Sequence, residues 1–365
     1  MQERKYTSAE PLLLRVIEAE RRVFGPESDH TLFAMATLAR LYSNAGRYGE
    51  AETLSVKVLE IRRRVSGAEH PATLKAMNNL AVLYSAQARY GDSEPILAQV
   101  LESSRRLYGE EHRTTLNARY NLAFAYSGEG KSALAEKLLF ENIASVRRVL
   151  GEEHPETLAN LLKLGLVYRQ QGRYQEAEPL HLRVLDVDQR VQGAEHRDTV
   201  VAMVNLAMLY QEEGKYSEAE PLLTKALEMG RRVLGPAHNT TRSCQASVAN
   251  LRLAQQKFAE AEGLLRESLN AKDNEGPYTW QPSERRSLLG LALMGQSKFA
   301  EAEPLAISGY RGLAERRSAV PVTVPVRQAG ERIVQLYTSW GKSDQAAEWR
   351  NQLDAAEAVT SSAKE

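Results

Sequence analysis

The sequence has almost no cysteine, no net charge and no long apolar run. Its one cysteine, Cys244, cannot close an internal disulfide. Packing and polar contacts must therefore hold the fold, a pattern that fits a reducing compartment and also a secreted protein that needs no disulfide. Lysine and arginine total 47, as do aspartate and glutamate, and this balance argues against a polyanion-seeking surface. No segment approaches the roughly 18 consecutive apolar residues of a membrane span. The charged start MQERKYTSAEP is not followed by an apolar stretch, so no signal peptide is visible. These absences predict a cytoplasmic protein that engages neither nucleic acid nor membrane. What is present, 43% hydrophobic and 26% charged residues, is ordinary for a soluble chain with an extensive core.

Self-similarity organises the rest. Gly25, Gly67, Gly109, Gly151, Gly193 and Gly235 stand 42 residues apart, a period that marks a repeat array. His30, His70, His112, His154, His196 and His238 follow, separated by 40 and then four times by 42 residues. Tyrosine fills two further columns: Tyr42, Tyr84, Tyr126, Tyr168, Tyr210 and Tyr337 in one, and Tyr6, Tyr48, Tyr90, Tyr174 and Tyr216 in the other.

Each unit reads as two helices joined by a tight turn. Leu74, Met77, Leu80, Ala81 and Tyr84 recur at spacings of three and four and mark the apolar stripe of a first helix, here helix A. The turn is Ala88-Arg89-Tyr90, elsewhere Gly46-Arg47-Tyr48 or Gly214-Lys215-Tyr216, where glycine takes the left-handed conformation that ends a helix. Helix B opens with acidic residues such as Glu218 and Glu220 and often with Pro95, Pro179, Pro221 or Pro304, expected near its first turn where a missing N–H costs little. It ends in basic pairs such as Arg147-Arg148. Eight helix pairs are expected at about 31–66, 73–108, 115–150, 157–192, 199–234, 241–272, 283–317 and 326–358.

The segments Asn78-Asn79-Leu80-Ala81-Val82-Leu83-Tyr84, Gly214-Lys215-Tyr216-Ser217-Glu218-Ala219-Glu220-Pro221-Leu222 and Gly151-Glu152-Glu153-His154-Pro155 closely resemble the 42-residue tetratricopeptide repeat of kinesin light chains. The resemblance is strong over 1–271 and weaker over 283–358. It implies an all-α, right-handed superhelical solenoid of antiparallel helix pairs. No heptad-patterned coiled coil precedes the array, so the chain does not resemble a complete kinesin light chain; bacterial signalling and scaffold proteins are the nearer analogy. The expected organisation is an orphan helix B or N-terminal cap in 1–24, six regular repeats in 25–271, two diverged repeats in 272–358 and a tail in 359–365. The stretches 272–282, KDNEGPYTWQP, and 318–325, SAVPVTVP, read as helix-avoiding connections in the diverged part.

Residues that could carry chemistry fall into the repeat. One histidine per unit places neighbouring imidazoles on helix layers about 8–10 Å apart, too far to share a zinc ion with ligands at about 2 Å. The column is therefore expected to be structural, and His181, outside it, stands where other units carry Leu97, Leu139, Leu223 and Leu265. Ser127-Gly128-Glu129-Gly130-Lys131-Ser132 resembles the end of a phosphate-binding loop, but Ala125 occupies the position of the required first glycine and a helix precedes it. It reads as the repeat turn. An enzymatic pocket would have to form in 272–325 around Tyr278 and Trp280. No catalytic constellation, metal site or cofactor site is found, and the chain is not expected to be an enzyme.

In tetratricopeptide arrays the A helices line a concave inner face. By position, that resemblance assigns peptide binding to Arg40, Lys75, Asn78, Asn79, Asn117, Tyr120, Asn121, Phe124, Lys163, Leu166, Arg169 and Asn205, with Phe33, Thr37, Val201 and Met208 beside them. Asparagine amides offer donors and an acceptor to an extended backbone. Arg40, Lys75, Lys163 and Arg169 would make the groove positive despite the neutral chain, favouring acidic groups or a free C-terminal carboxylate. Tyr120, Phe124 and Leu166 would take an apolar anchor. The expected function is a protein-interaction scaffold that holds an extended acidic peptide of a protein partner. Kinesin light chains bind acidic cargo peptides around a tryptophan, so the resemblance makes such peptides the first to test. The alternative is a regulatory or sensor segment of a larger signalling protein, a kinase or nucleotide-switch ATPase.

Overall fold

A computed structural model describes residues 2–270, 280–315 and 326–362, and all regular structure among them is helical. Two compact units are formed, one running to Val167 and the other from Tyr168 onward. The first holds α1 (Gln2–Phe24), the pairs α2 (Asp29–Asn44) with α3 (Tyr48–Ser66), α4 (Pro71–Ala86) with α5 (Tyr90–Tyr108) and α6 (Arg113–Gly128) with α7 (Ser132–Leu150), and most of α8 (Pro155–Gln170). The second continues through α9 (Tyr174–Val191), α10 (Arg197–Glu212), α11 (Tyr216–Met229) with a π-helical turn Gly230–Leu234, α12 (Asn239–Ala254) and α13 (Phe258–Asn270). It closes with α14 (Gln281–Met294), α15 (Phe299–Glu315), α16 (Val326–Ser339) and α17 (Ser343–Ser362).

Each helix packs on the next, from α1 to α7 in the first unit and from α9 to α17 in the second. A helices of successive pairs also touch, α4 on α6 in the first unit and α10 on α12, α12 on α14 and α14 on α16 in the second. Each unit is thus an all-α solenoid of stacked antiparallel helix pairs. The core follows the expected stripe: Leu74, Met77, Leu80 and Ala81 are buried, as are Ala51, Leu97, Ala135 and Leu139 from the B helices. Complete burial of a leucine side chain contributes roughly 1.5–3 kcal/mol, while a fully buried alanine leaves room for the neighbouring helix.

Every regular A helix starts two residues before the position its apolar pattern suggested, and the histidine column is the reason. The Nδ1 atoms of His70, His112, His154, His196 and His238 accept the backbone N–H two residues on, at 3.1–3.3 Å. These imidazoles do the capping work usually done by serine or aspartate, worth about 1 kcal/mol each. In the first pair Ser28 is the cap instead, and His30 stacks on Phe24. Just upstream, the glycine column adopts φ between +86° and +95°, with ψ near 161° at Gly67 and 174° at Gly109, a region open essentially to glycine alone. That conformation aims the glycine carbonyl at the next helix, where threonine hydroxyls donate to it: Thr31 to Gly25, Thr73 to Gly67, Thr115 to Gly109, Thr157 to Gly151 and Thr199 to Gly193, at 2.7–2.8 Å.

The second tyrosine column opens the B helices and the first closes the A helices, where it joins a second clasp. Arg47, Arg89 and Lys131 donate their turn N–H to the carbonyls of Tyr42, Tyr84 and Tyr126. Their cationic groups lie 4.1, 4.2 and 5.7 Å from the same three rings, and each pairs with a glutamate of the preceding B helix, Glu10, Glu52 or Glu94. Lys215, Tyr210 and Glu178 repeat the arrangement in the second unit. Glu52 and Glu178, the second glutamates of Glu-Ala-Glu segments, and Glu10 and Glu94 at the same repeat position therefore tie layers together, beyond their expected place at a helix start.

The prolines differ from expectation. Pro95, Pro179, Pro221 and Pro304 each lie in the second turn of a B helix that begins five residues earlier. The carbonyls they leave unpaired belong to Gly91, Gln175, Ser217 and Ala300, all exposed residues, so water replaces the lost donor. Of the two helix-avoiding stretches, 318–325 and all of 272–279, including Tyr278, lie outside the described residues; Gln281 and Pro282 open α14, with Trp280 as its N-cap residue.

Candidate functional site

The candidate face of the first unit is built by α2, α4, α6 and the part of α8 up to Val167. Their apolar stripes turn into the stack, which leaves four columns of the 42-residue repeat facing outward. One carries Phe33, Lys75, Asn117 and Ala159; the next Ala36, Asn78, Tyr120 and Leu162; the third Thr37, Asn79, Asn121 and Lys163; the last Arg40, Val82, Phe124 and Leu166. Arg40, Lys75, Asn79, Asn117 and Phe124 are exposed, whereas Asn78, Tyr120, Asn121 and Leu166 are half-buried. All nine fall in these four columns.

Several of them are already engaged. The Asn121 amide donates to the Asn78 side-chain oxygen at 2.9 Å and links α6 to α4. Lys75 stands 6.0 Å from the ring of Phe33. The ammonium of Lys163 lies 4.2 Å from the Phe124 ring, which also meets Tyr90 at 6.3 Å. Burial pushes the Tyr120 phenol above its ordinary pKa, so it stays a neutral donor. Lys163 is only 9% exposed, and its charge reaches solvent less than spacing implied. Arg40 and Lys75 supply the accessible positive charge.

Acidic residues are scarce among these helices. Asp29 and Glu156 are the acids of α2 and α8, both in first turns, and α4 and α6 have none. Both acids are paired, Asp29 with Arg62 and Glu156 with Arg113. The centre of the face therefore carries basic, amide and apolar groups without a carboxylate.

Two assigned residues belong to the second unit. Asn205 is half-buried on α10, and its amide donates to the Val201 carbonyl one turn back, at 3.0 Å. Arg169 is 8% exposed and faces inward, with its Nε 3.6 Å from Glu212. Burial pushes its guanidinium below the usual range. It occupies the column of Ser43, Ser85 and Ser127, the latter two buried, so it packs between layers instead of lining the face. Val82, exposed in the column of Arg40 and Phe124, was passed over in the sequence although the 42-residue period locates it.

The other chemical candidates resolve into structure. Lys131 of the phosphate-loop-like segment pairs with Glu94 and Glu129 and lies over Tyr126, and Gly130 takes the left-handed turn conformation at φ 77°. Cys244 is buried, and desolvation pushes its thiol up to about 12. His181 is fully buried. Among the described residues no group of three metal-ligating side chains converges, and no helix is long and apolar enough to cross a membrane.

The sequence matches the tetratricopeptide repeat over residues 1–62, 38–104, 135–190, 158–231 and 198–274. No curated protein matches it. Among solved structures, a Podosopora anserina putative kinesin light chain with nearly identical tetratricopeptide-like repeats is 29% identical, with a TM-score of 0.49 over 55% of this chain and 95% of that one. The apo quorum sensor NprR from B. thuringiensis is 14% identical, with a TM-score of 0.60 over 97% of this chain and 99% of that one. A Rap protein complexed with Competence and Sporulation Factor is 13% identical, with a TM-score of 0.57 over 91% and 99%. Those last two likenesses show a shared fold. With the repeat matched over more than half its length, the chain belongs to the tetratricopeptide repeat family.

Proposed function

We propose that the A-helix face of the first unit holds an extended, acidic segment of a protein partner, contacting its side-chain carboxylates or a terminal carboxylate. The observation that carries this reading is the charge pattern: Arg40 and Lys75 are exposed, and no acid stands among the central columns of α2, α4, α6 and α8. Asn79 and Asn117 add exposed amides for backbone groups of the bound segment, while Phe33, Val82 and Phe124 give it apolar purchase. Charge recognition of this kind accelerates association and weakens as salt shortens the screening length to about 8 Å at physiological strength. A cytoplasmic setting fits the single, buried thiol.

The test is titration of a fluorescent acidic peptide containing one tryptophan into the full chain and into Arg40→Glu/Lys75→Glu. Both positions are exposed, so helical circular dichroism should be unchanged. Binding should fall at least about tenfold and lose most of its salt dependence. Equal affinity of the two proteins would refute the assignment. A second reading, capture of a signalling factor as part of a regulatory protein, draws support from the Rap protein and its bound factor; it predicts the same face and a different ligand.

A further inference from the structure

The A-helix face of the first unit changes character along its length. A phenylalanine with a lysine on the next A helix occurs there twice, and the two pairs turn different parts to solvent. On α2 and α4, Phe33 and Lys75 stand 6.0 Å apart and both are exposed, so the ammonium is accessible. On α6 and α8, the Lys163 ammonium lies 4.2 Å from the Phe124 ring, but the lysine is only 9% exposed while Phe124 is 36% exposed. The α2–α4 end therefore offers charge, and the α6–α8 end an aromatic surface.

The neighbouring columns extend that division. Arg40, the other exposed cation of the face, is on α2. Tyr120, Leu162 and Leu166, all half-buried, share the outward columns of α6 and α8 with Phe124. The Tyr90 ring, 6.3 Å from Phe124, braces it from the other side of the layer. Arg40 and Phe124 hold the same repeat position two A helices apart. Packed helices stand about 8–10 Å apart, so the span is roughly 16–20 Å. An extended chain, at about 3.3 Å per residue, covers it in roughly five or six residues. Asn79 and Asn117, both exposed on the helices between and beside these ends, offer amides to its backbone.

We propose that the bound segment is bipartite: its acidic group meets Arg40 and Lys75, and a bulky apolar side chain roughly five or six residues away sits on Phe124. This rests on the acidic-segment reading of the same face and adds a spacing to it. An acid directly beside the anchor would reach one end only. With both ends engaged, the second contact forms at the high effective concentration set by the chain that links them, which is greatest when its length matches the span.

The test is a set of labelled peptides of one composition, each with a pair of glutamates and a tryptophan, titrated into the full chain by fluorescence anisotropy. The tryptophan stands next to the acids, at the roughly five-residue spacing, or at about twice that spacing, and each is made in both chain orders. The middle spacing should bind at least about tenfold tighter than either other in its better order. That gain should vanish in Phe124→Ala and when serine replaces the peptide tryptophan; the peptide exchange makes the same test without touching the fold. Equal affinity at every spacing, or tightest binding at any but the middle one, overturns the bipartite segment. If Arg40→Glu/Lys75→Glu still weakens binding in that case, the acidic-segment reading survives. Affinity indifferent to Arg40→Glu/Lys75→Glu, or no binding of any peptide, overturns both.

Discussion

Glu262→Gln tests whether the layer-to-layer clasps contribute energy or only decorate the surface. The Glu262 carboxylate on α13 accepts from Lys298 at 2.9 Å, from Arg266 at 2.8 Å and from Gln296 at 2.8 Å. Lys298 above all, then Arg266 and Gln296, hold its carboxyl at about 2 against the usual 4.5, although desolvation opposes them. A depressed acid stabilises the fold fully above its unfolded pKa and loses that contribution as pH falls towards the folded value. At 1.36 kcal/mol per unit the shift is worth at most about 3 kcal/mol at pH 7 and about 1.4 kcal/mol at pH 3. Trp280, Trp340 and Trp349 are the chain's 3 tryptophans, and all lie in the second unit with this clasp, so urea unfolding read by tryptophan emission reports on the right layers. The variant should unfold at lower urea than the parent at pH 7, with the gap shrinking by about half at pH 3. A gap of the same size at both pH values, or none at pH 7, would refute the reasoning.

Two further substitutions probe backbone contacts. At Gly309 an added Cβ would lie 2.5 Å from the Ser287 nitrogen and 2.8 Å from the Ser283 carbonyl oxygen. Because those are backbone atoms, Gly309→Ala should force α14 and α15 apart and cost about 1–3 kcal/mol, lowering the same tryptophan-monitored midpoint. An unchanged midpoint would show that the pair has slack. His112→Ala and Thr115→Val remove the Nδ1 cap of α6 and the hydroxyl bond to Gly109, and each should cost about 1 kcal/mol in thermal unfolding. The two share one loop, so their combined effect should depart from the sum.

The fold was legible because the period repeats each local device. Six glycines at one spacing and the Tyr-turn-Tyr columns located the helix pairs, and the Leu and Ala stripes gave their buried sides. What the period did not reveal was the work of individual polar atoms. The histidine column reads as structural, but its part as a helix cap is not legible, because capping by Nδ1 depends on ring orientation and on the glycine carbonyl beside it. The Glu-Ala-Glu segments read as helix-start charge, because their partners stand 36 or 37 residues further on, as in Glu52 with Arg89 and Glu262 with Lys298. On the candidate face, Arg40, Lys75 and Phe124 are exposed, while the depth of Lys163 and Arg169 depended on neighbours that a column alignment does not show. Arg169 is instructive: a long cation fills a site where Ser85 and Ser127 are buried in other layers, and its stem packs between helices.

The division of labour between columns gives the strongest reason to place function on the A helices. Along the chain, the clasp positions keep one chemistry: Thr31, Thr73, Thr115, Thr157 and Thr199 all donate to a glycine carbonyl, and Arg47, Arg89, Lys131, Arg173 and Lys215 all hold a cation over a tyrosine. These contacts recur through the first five pairs, whereas in the sixth the Thr241 hydroxyl has no partner among the described residues and Arg252 stands at the tyrosine position; where they are made, losing one would weaken the array locally. The outward columns obey no such demand. Phe33, Lys75, Asn117, Ala159 and Val201 share one position, and Arg40, Val82, Phe124, Leu166 and Met208 another. A position that tolerates phenylalanine, lysine, asparagine, alanine and valine is not fixed by stacking. Its chemistry is free to be set layer by layer, as a surface must be if successive residues of one extended partner are to meet different side chains. A solenoid whose stability rests on repeated clasps can hold such a varied face rigidly, and rigidity lowers the ordering cost of binding.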